Sequence, residues 1–183
     1  AYKEILEFSS ALDEALSNHK HISEDNITSL REKGASADAF FKVKPYPLPQ
    51  DIEDALDRYS KLEMILKRHR QEVDFAIKFL MPFYAVLDKN SYISYKEMNA
   101  IVKDAEPFVT AFKGDEFLFN ETATGISDYS VSEELREKHN KRFIEEELES
   151  CRSFFDTLSS YPLDRQQREC CVVDDDSALV VAG

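Results

Sequence analysis

The chain has 183 residues, of which 43% are hydrophobic, and its 13 Phe and 8 Tyr can fill a core, so a largely disordered protein is excluded. Its 4 Gly and 6 Pro are too few for a turn-rich all-β fold, and the composition favours a mainly α protein. The formal net charge of −13 argues against a broad phosphate-binding surface, and no run of about eighteen apolar residues predicts a membrane span.

The first part of the chain predicts two helices followed by an extended connector. Apolar residues recur at steps of three and four along one face of the first helix, at Ile5, Phe8, Leu12, Ala15 and Leu16. A second, short helix is predicted from Ser23 to about Gly34. The closely spaced prolines between Ala39 and Pro49 favour an extended segment, because proline interrupts a helix.

Two long helices are predicted in the middle and the second half of the chain. The first begins at Gln50 and continues for roughly thirty residues at 1.5 Å per residue, until Pro82 kinks or ends it. The second covers residues 132–158 and starts at a capping-box sequence, Ser130 to Glu133. We expect these two helices, near 50–80 and 132–158, to pack antiparallel.

A further helix is predicted between the two long ones. It starts at Ser94, which forms an S-x-x-E capping sequence with Glu97, and its apolar face continues to Phe112 with a bend at Pro107. Residues 114–129 are rich in turn-forming residues and predict a loop or a short strand pair.

Several charged or metal-ligating groups have a functional and a structural interpretation. His19 and His21 point to different sides of a helix, which favours a solvated helix end over a metal site. The basic run at residues 67–70 could contact phosphate or an acidic protein, but such a run is more often a solvated face. The acidic run at residues 145–149 lacks the pattern of a calcium loop, which favours an exposed acidic stripe. No nucleophile and base pair can be identified.

The three cysteines carry information about the cellular compartment. Cys170 and Cys171 are adjacent and Cys151 stands alone, which fits neither an even disulfide framework nor the paired spacing of a zinc site. We therefore expect a cytoplasmic protein.

The last part of the chain has the most specific pattern. Asp164 can cap a short helix that begins at Arg165, and the acidic residues 174–176 predict a turn. The segment "SALVVAG" (177–183) is apolar at nearly every position, as in a parallel strand that is covered on both faces. A buried strand that runs into Ala-Gly is typical of the start of a phosphate-binding loop.

The order of a capped short helix, an acidic turn and an apolar strand that ends in Ala-Gly resembles the start of the motor core of UvrD/Rep-type superfamily 1 DNA helicases, in particular the helicase IV branch. In that family a Q motif, a short helix, an acidic turn and an apolar strand precede the Walker A loop. The upstream sequences "HNKRF" and "FFDTLSSYPLD" also resemble the helix that leads into the motor. The match consists of Leu163, Asp164, Gln167 and Arg168 for the Q motif, Leu179, Val180 and Val181 for the strand, and Ala182 and Gly183 for the first residues of the Walker A loop.

The resemblance implies that Gln167 and Arg168 belong to an adenine-reading motif, and that Ala182 and Gly183 contact phosphate. ATP and Mg²⁺ are the implied cofactors of the intact protein, whereas we expect no cofactor on this segment, because the Walker A Lys and Thr would follow Gly183. The spacing of Asp164 and Gln167 leaves a second interpretation open, since Gln167 is also the third residue of a capping box.

We expect an N-terminal fragment of an ATP-dependent 3′ to 5′ DNA helicase, with a helical accessory region over 1–160 and the start of a truncated P-loop (RecA-like) motor domain over 161–183. The missing motor domains would bind single-stranded or partly duplex DNA. The acidic helical region would meet a protein partner such as RNA polymerase or a repair factor. Two alternatives stay open: a helicase-like factor that binds RNA polymerase, and a complete helical protein-interaction module.

Overall fold

The structure is a computed structural model that describes residues 1–43, 47–112, 120–158, 160 and 162–173. These residues are mainly α-helical, as the composition predicts. The chain divides into two compact units, Ala1–Asp74 and Phe75–Gly183. The predicted change from an accessory region to a motor domain at residues 160 and 161 stays a prediction.

In the part of the first unit that the structure describes, there are four helices. They are α1 (Tyr2–Ser17), α2 (Glu24–Phe41), α3 (Gln50–Ser60) and α4 (Leu62–Phe75, which ends one residue beyond the unit). The second unit contains a π-helical turn (Ala76–Leu80), α5 (Met81–Leu87), α6 (Tyr95–Phe112), α7 (Asn120–Ser130), α8 (Ser132–Ser150), α9 (Arg152–Thr157) and α10 (Arg165–Val172).

The core of the first unit forms where α1 packs against α2 and α3. Ile5, Phe8 and Leu12 are completely buried, which confirms the apolar face predicted for the first helix. The Phe8 ring meets the Tyr59 ring of α3 edge-on, with a centroid separation of 5.5 Å.

The second helix does not end near Gly34, and this prediction was wrong. α2 continues to Phe41, and Gly34 is buried inside it. A Cβ atom at Gly34 would lie 2.0 Å from Cδ2 of Tyr59. Glycine is therefore required by the close approach of the Tyr59 ring, and it does not mark a helix end.

The helix predicted from Gln50 to about residue 80 is divided. α3 ends at Ser60, because the backbone of Lys61 (φ −100°, ψ 5°) departs from helical geometry. The Lys61 N–H is shared between Asp57 O (3.1 Å) and Arg58 O (3.2 Å). Pro82 lies in the first turn of α5, where a missing N–H is tolerated, so helical structure continues to Leu87 and does not end at the proline.

The second unit has an aromatic core. Phe75, Phe83 and Ile93 are completely buried, and the Phe83 ring stacks on Tyr129 with centroids 4.4 Å apart. Met98, Ala105 and Phe112 of α6 are also buried, which confirms the predicted apolar face of that helix. Ser94 Oγ accepts from the Glu97 N–H at 3.2 Å, so the serine half of the predicted cap is present.

The prediction of a loop or strand pair over residues 114–129 was wrong for the described part, since residues 120–130 form α7. Residues 114–119 lie outside the described residues. Gly125 is buried in α7, and a Cβ atom there would lie 2.4 Å from Cδ2 of Leu80. Packing of α7 on the unit's core therefore overrides the low helix propensity of its Asn, Thr, Gly, Ser and Asp residues.

The last long helix also differs from its prediction. α8 begins at Ser132 without a side-chain cap, because its N-cap residue is Val131. Ser130 is instead the last residue of α7, where its Oγ donates to Ser127 O at 2.5 Å, so the predicted capping box was wrong. The helix is interrupted at Cys151 before α9. The prediction that the two long helices pack against each other as an antiparallel pair was also wrong. α3 packs on α1 and α2, whereas α8 packs chiefly on α10 and α6.

Side chains of α8 hold the loop between α5 and α6. The amide of Asn140 bonds both backbone groups of Ile93: Oδ1 accepts from the Ile93 N–H at 2.8 Å, and Nδ2 donates to the Ile93 carbonyl at 2.9 Å. Arg136 Nη1 donates to the same carbonyl at 3.1 Å. The buried His139 ring lies 2.9 Å from Ser91 O, and since a carbonyl only accepts, Nε2 carries the proton.

Candidate functional site

The candidate site is the start of α10, where the Q-motif resemblance falls. Asp164 is the N-cap residue, and its Oδ1 accepts from the Gln167 N–H at 2.8 Å. In return, Gln167 Oε1 accepts from the Asp164 N–H at 3.0 Å. This reciprocal pair is a complete capping box, so the predicted helix start and the capping role of Gln167 are confirmed.

Arg168 connects α10 to the segment before it. Its Nε donates to the Leu163 carbonyl at 3.0 Å, and Nη1 lies 3.6 Å from Asp156 Oδ1. The guanidinium carbon also lies 5.3 Å from the centroid of the buried Phe155 ring, within the range of a cation–π interaction. These contacts fix the direction in which the first turn of α10 leaves α9.

Arg165 connects α10 to α8. Its Nε donates to Glu169 Oε1 at 2.8 Å on the next turn of α10, and its Nη2 bonds to Oε1 of Glu145 on α8. The hydrogen bond to Glu169, and then the one to Glu145, raise the pKa of the Arg165 guanidinium above its ordinary value. Both contacts are solvent-exposed, so they orient the helix more than they stabilise it.

A shallow depression of about 390 Å³ lies between α8 and the start of α10. Arg152, Arg165 and Arg168 line it together with Glu145 and Glu149. Each arginine has an acidic partner, as Arg152 Nη2 lies 2.8 Å from Glu149 Oε2. An anion could bind here only if an arginine exchanged its carboxylate for the anion.

The structure brings only part of the predicted site together. Gln167 and Arg168 are neighbours in the first turns of α10, and both are partly buried. Ala182, Gly183 and the predicted strand over 179–181 lie outside the described residues. Within the ranges that the structure describes, no cluster of three His, Cys, Asp or Glu side chains could hold a metal ion.

The acidic run of α8 is engaged with arginines. Glu145, Glu146 and Glu149 each lie within 4 Å of an arginine on α8, α9 or α10. The pairing of Arg165 with Glu169 could have been found from its i, i+4 spacing. The pairing of Arg165 with Glu145 could not, because it depends on how α10 packs against α8.

Comparison of the chain with protein-family models, with curated proteins and with solved structures gives no match. Among the helices of the described ranges, none is both long enough and apolar enough to cross a membrane.

Proposed function

We propose that the chain belongs to a cytoplasmic ATP-dependent DNA helicase, in which residues 1–160 form a helical accessory region and residues 161–183 begin the motor domain. The observation that carries this proposal is the order Leu163, Asp164, Gln167, Arg168 at the start of α10. The acidic turn and the apolar strand that ends in Ala182 and Gly183 are further parts of the same proposal. DNA and Mg²⁺ would be bound by motor residues that follow Gly183.

The chemistry assigned to Gln167 is recognition of adenine. A carboxamide offers a donor and an acceptor together, and this pair matches the N7 acceptor and the N6 donor on one edge of adenine. Guanine presents an acceptor in place of the N6 donor, so the same side chain would discriminate against GTP. The capping box supports this role because the Asp164 N–H holds Gln167 Oε1 at 3.0 Å and so orients the carboxamide.

The substitution Gln167→Glu separates the two roles of this side chain. Glutamate at the third helical position preserves a capping box, but it lacks the N–H donor that adenine N7 requires. A bidentate base contact is worth about 1–3 kcal/mol of discrimination, so the preference for ATP over GTP should fall by about fivefold to 150-fold. The readout is DNA-stimulated hydrolysis of each nucleotide by the full-length protein.

Gln166→Glu is the matched control, because it makes the same change at the neighbouring, exposed position. It should leave the preference for ATP unchanged, and both variants should keep the α-helical circular dichroism of the native protein. If Gln167→Glu left the preference for ATP over GTP unchanged, Gln167 would cap the helix and would not recognise adenine. Reading the source gene beyond the Gly183 codon is an independent test, since x-Gly-x-Gly-Lys-Thr is expected there.

The helical region is proposed to meet a protein partner, such as RNA polymerase or a repair factor. The net charge of −13 supports a protein partner over nucleic acid for most of this surface.

A further inference from the structure

We propose that the first unit carries a docking pocket for an acidic peptide segment of a partner protein. The pocket lies between α2, α4 and the loop that joins α1 to α2, and it has a volume of about 240 Å³. The pocket would be the place where the proposed protein partner of the helical region binds, and an acidic segment would be the part of that partner that enters it. Binding there would not depend on nucleotide or DNA.

The pocket combines an apolar interior with a basic rim. Its apolar lining residues, Ile22, Ile27 and Leu66, are buried or half-buried. Lys67 and Arg70, from the basic run of α4, line the same pocket and are exposed. An apolar side chain can therefore enter the pocket while its acidic neighbours meet the two cations.

The charges around the pocket are unequally paired. Arg31 and Glu63 neutralise each other, since Nε lies 2.7 Å from Oε1 and Nη2 lies 3.0 Å from Oε2. Glu24 also lines the pocket and is exposed. Lys67 and Arg70, by contrast, form no ion pair with any residue that the structure describes. Two exposed cations without an acidic partner in the described part of the chain, at the rim of one pocket, favour an acidic ligand at that place.

The loop beside the pocket is held in place by the native fold. The buried ring of His69 donates from Nε2 to the Lys20 carbonyl at 2.8 Å, and His21 Nε2 lies 3.3 Å from Asp74 Oδ1. Ser23 caps α2 by accepting from the Asn26 N–H at 3.3 Å. The pocket therefore exists before a partner arrives, which lowers the entropy cost of binding.

The size and lining of the pocket favour a peptide over a nucleic acid or a small ligand. A cavity of about 240 Å³ is smaller than the roughly 300–1,000 Å³ of typical small-molecule sites and suits one large side chain. Nucleic-acid affinity comes from many phosphate contacts along a basic surface, whereas two cations around an apolar pocket resemble a protein hot spot with a polar rim.

The test begins with selection from a display library of random dodecapeptides on the full chain. Enriched peptides should carry Asp or Glu on either side of one large apolar residue. One such peptide, labelled with fluorescein, is then titrated by fluorescence anisotropy. The double substitution Lys67→Glu/Arg70→Glu should weaken its binding by at least tenfold, because attraction becomes repulsion.

Lys96→Glu/Lys103→Glu is the matched control, because it changes the net charge equally at two exposed residues of α6 in the second unit. It should leave peptide binding within twofold of the native chain. Ile27→Trp fills the pocket without changing its charge, and it should also abolish binding. Circular dichroism and thermal melting check that each variant is folded, and Lys67→Gln/Arg70→Gln replaces the reversal variant if that one unfolds.

Three outcomes would overturn the proposal. The first is a selection without enriched peptides, and the second is an enriched peptide that binds the Lys67→Glu/Arg70→Glu variant as well as the native chain. The third is displacement of the labelled peptide by an unlabelled oligothymidylate that binds with comparable affinity. The last outcome would identify the surface as a nucleic-acid contact. Because the assay contains no ATP, its failure leaves the Gln167 experiment unaffected.

Discussion

Substitution of Asn140 by alanine tests how α8 holds the loop between α5 and α6. Asn140 is only 5% exposed, and Ile93 is completely buried. The Asn140 side chain is the acceptor for the Ile93 N–H and one of two donors to the Ile93 carbonyl, the other being Arg136. Truncation therefore removes the side-chain partner of a buried N–H but leaves the carbonyl with Arg136.

The size of the effect follows from these contacts. A buried N–H without an acceptor costs about 1–3 kcal/mol of stability. The Ile93 carbonyl keeps its hydrogen bond to Arg136, so the loss of its second donor adds little to this cost. Alanine at this helical position stabilises the folded state by about 0.6 kcal/mol, because its helix propensity exceeds that of asparagine. The free energy of unfolding of the second unit should therefore fall by about 0.4–2.4 kcal/mol, which raises the unfolding equilibrium constant roughly twofold to sixtyfold.

Amide hydrogen exchange followed by NMR measures this change directly. The slowest amides of α8 report the stability of the second unit, and the Ile93 amide reports the loop itself. Asn99→Ala is the matched control, because Asn99 is an exposed residue of α6 and gains the same helix propensity. If Asn140→Ala were as stable as Asn99→Ala, with the Ile93 amide still protected, the bidentate contact would not be what holds this loop.

Two further predictions concern stability. Gly34→Ala should lower the melting temperature of the first unit, because the new Cβ would lie 2.0 Å from a Tyr59 ring that Phe8 holds edge-on. Overpacking costs about 1–3 kcal/mol, which outweighs the gain of about 1 kcal/mol in helix propensity. A higher melting temperature would refute this packing. Burial raises the pKa of Tyr129 from 10.0 to about 12, and its hydroxyl donates to the Phe79 carbonyl at 3.0 Å. The folded state therefore binds the Tyr129 proton more tightly than the unfolded state does. The stabilisation from this proton should be fully present below about pH 10 and should be lost as the pH rises towards about 12. In urea denaturation, Tyr129→Phe should make this loss of stability with pH shallower.

The features that could be predicted from sequence are those that depend on neighbouring residues. The apolar face of α1 follows from steps of three and four, and the start of α10 follows from the capping spacing of Asp164 and Gln167. Gly34 was misinterpreted because its role depends on Tyr59, which belongs to another helix. The same reason explains α7, where packing of Gly125 against Leu80 outweighs a sequence of poor helix formers.

The candidate site was predictable to a similar extent. The positions of Gln167 and Arg168 in a short helix follow from the motif and its N-cap. The interactions that orient this helix, Arg168 with Phe155 and Arg165 with Glu145, join separate helices and depend on tertiary packing. Sequence spacing therefore identifies which residues begin α10, while the direction of α10 needs the structure.

The capping box is compatible with the proposed recognition of adenine by Gln167, because a carboxamide has more hydrogen-bonding capacity than the capping box uses. Oε1 has two lone pairs, and the Asp164 N–H occupies one of them. The second lone pair can accept from the N6 group of adenine, and the two N–H bonds of Nε2 have no acceptor among the residues that the structure describes. The capping box would then act as an orienting device: it holds Oε1 in one place, so that Gln167 loses less conformational entropy when a base binds. Gln167→Glu keeps the oriented oxygen and removes the donor, and for this reason its effect on the choice between ATP and GTP is more informative than any loss of activity in Gln167→Ala.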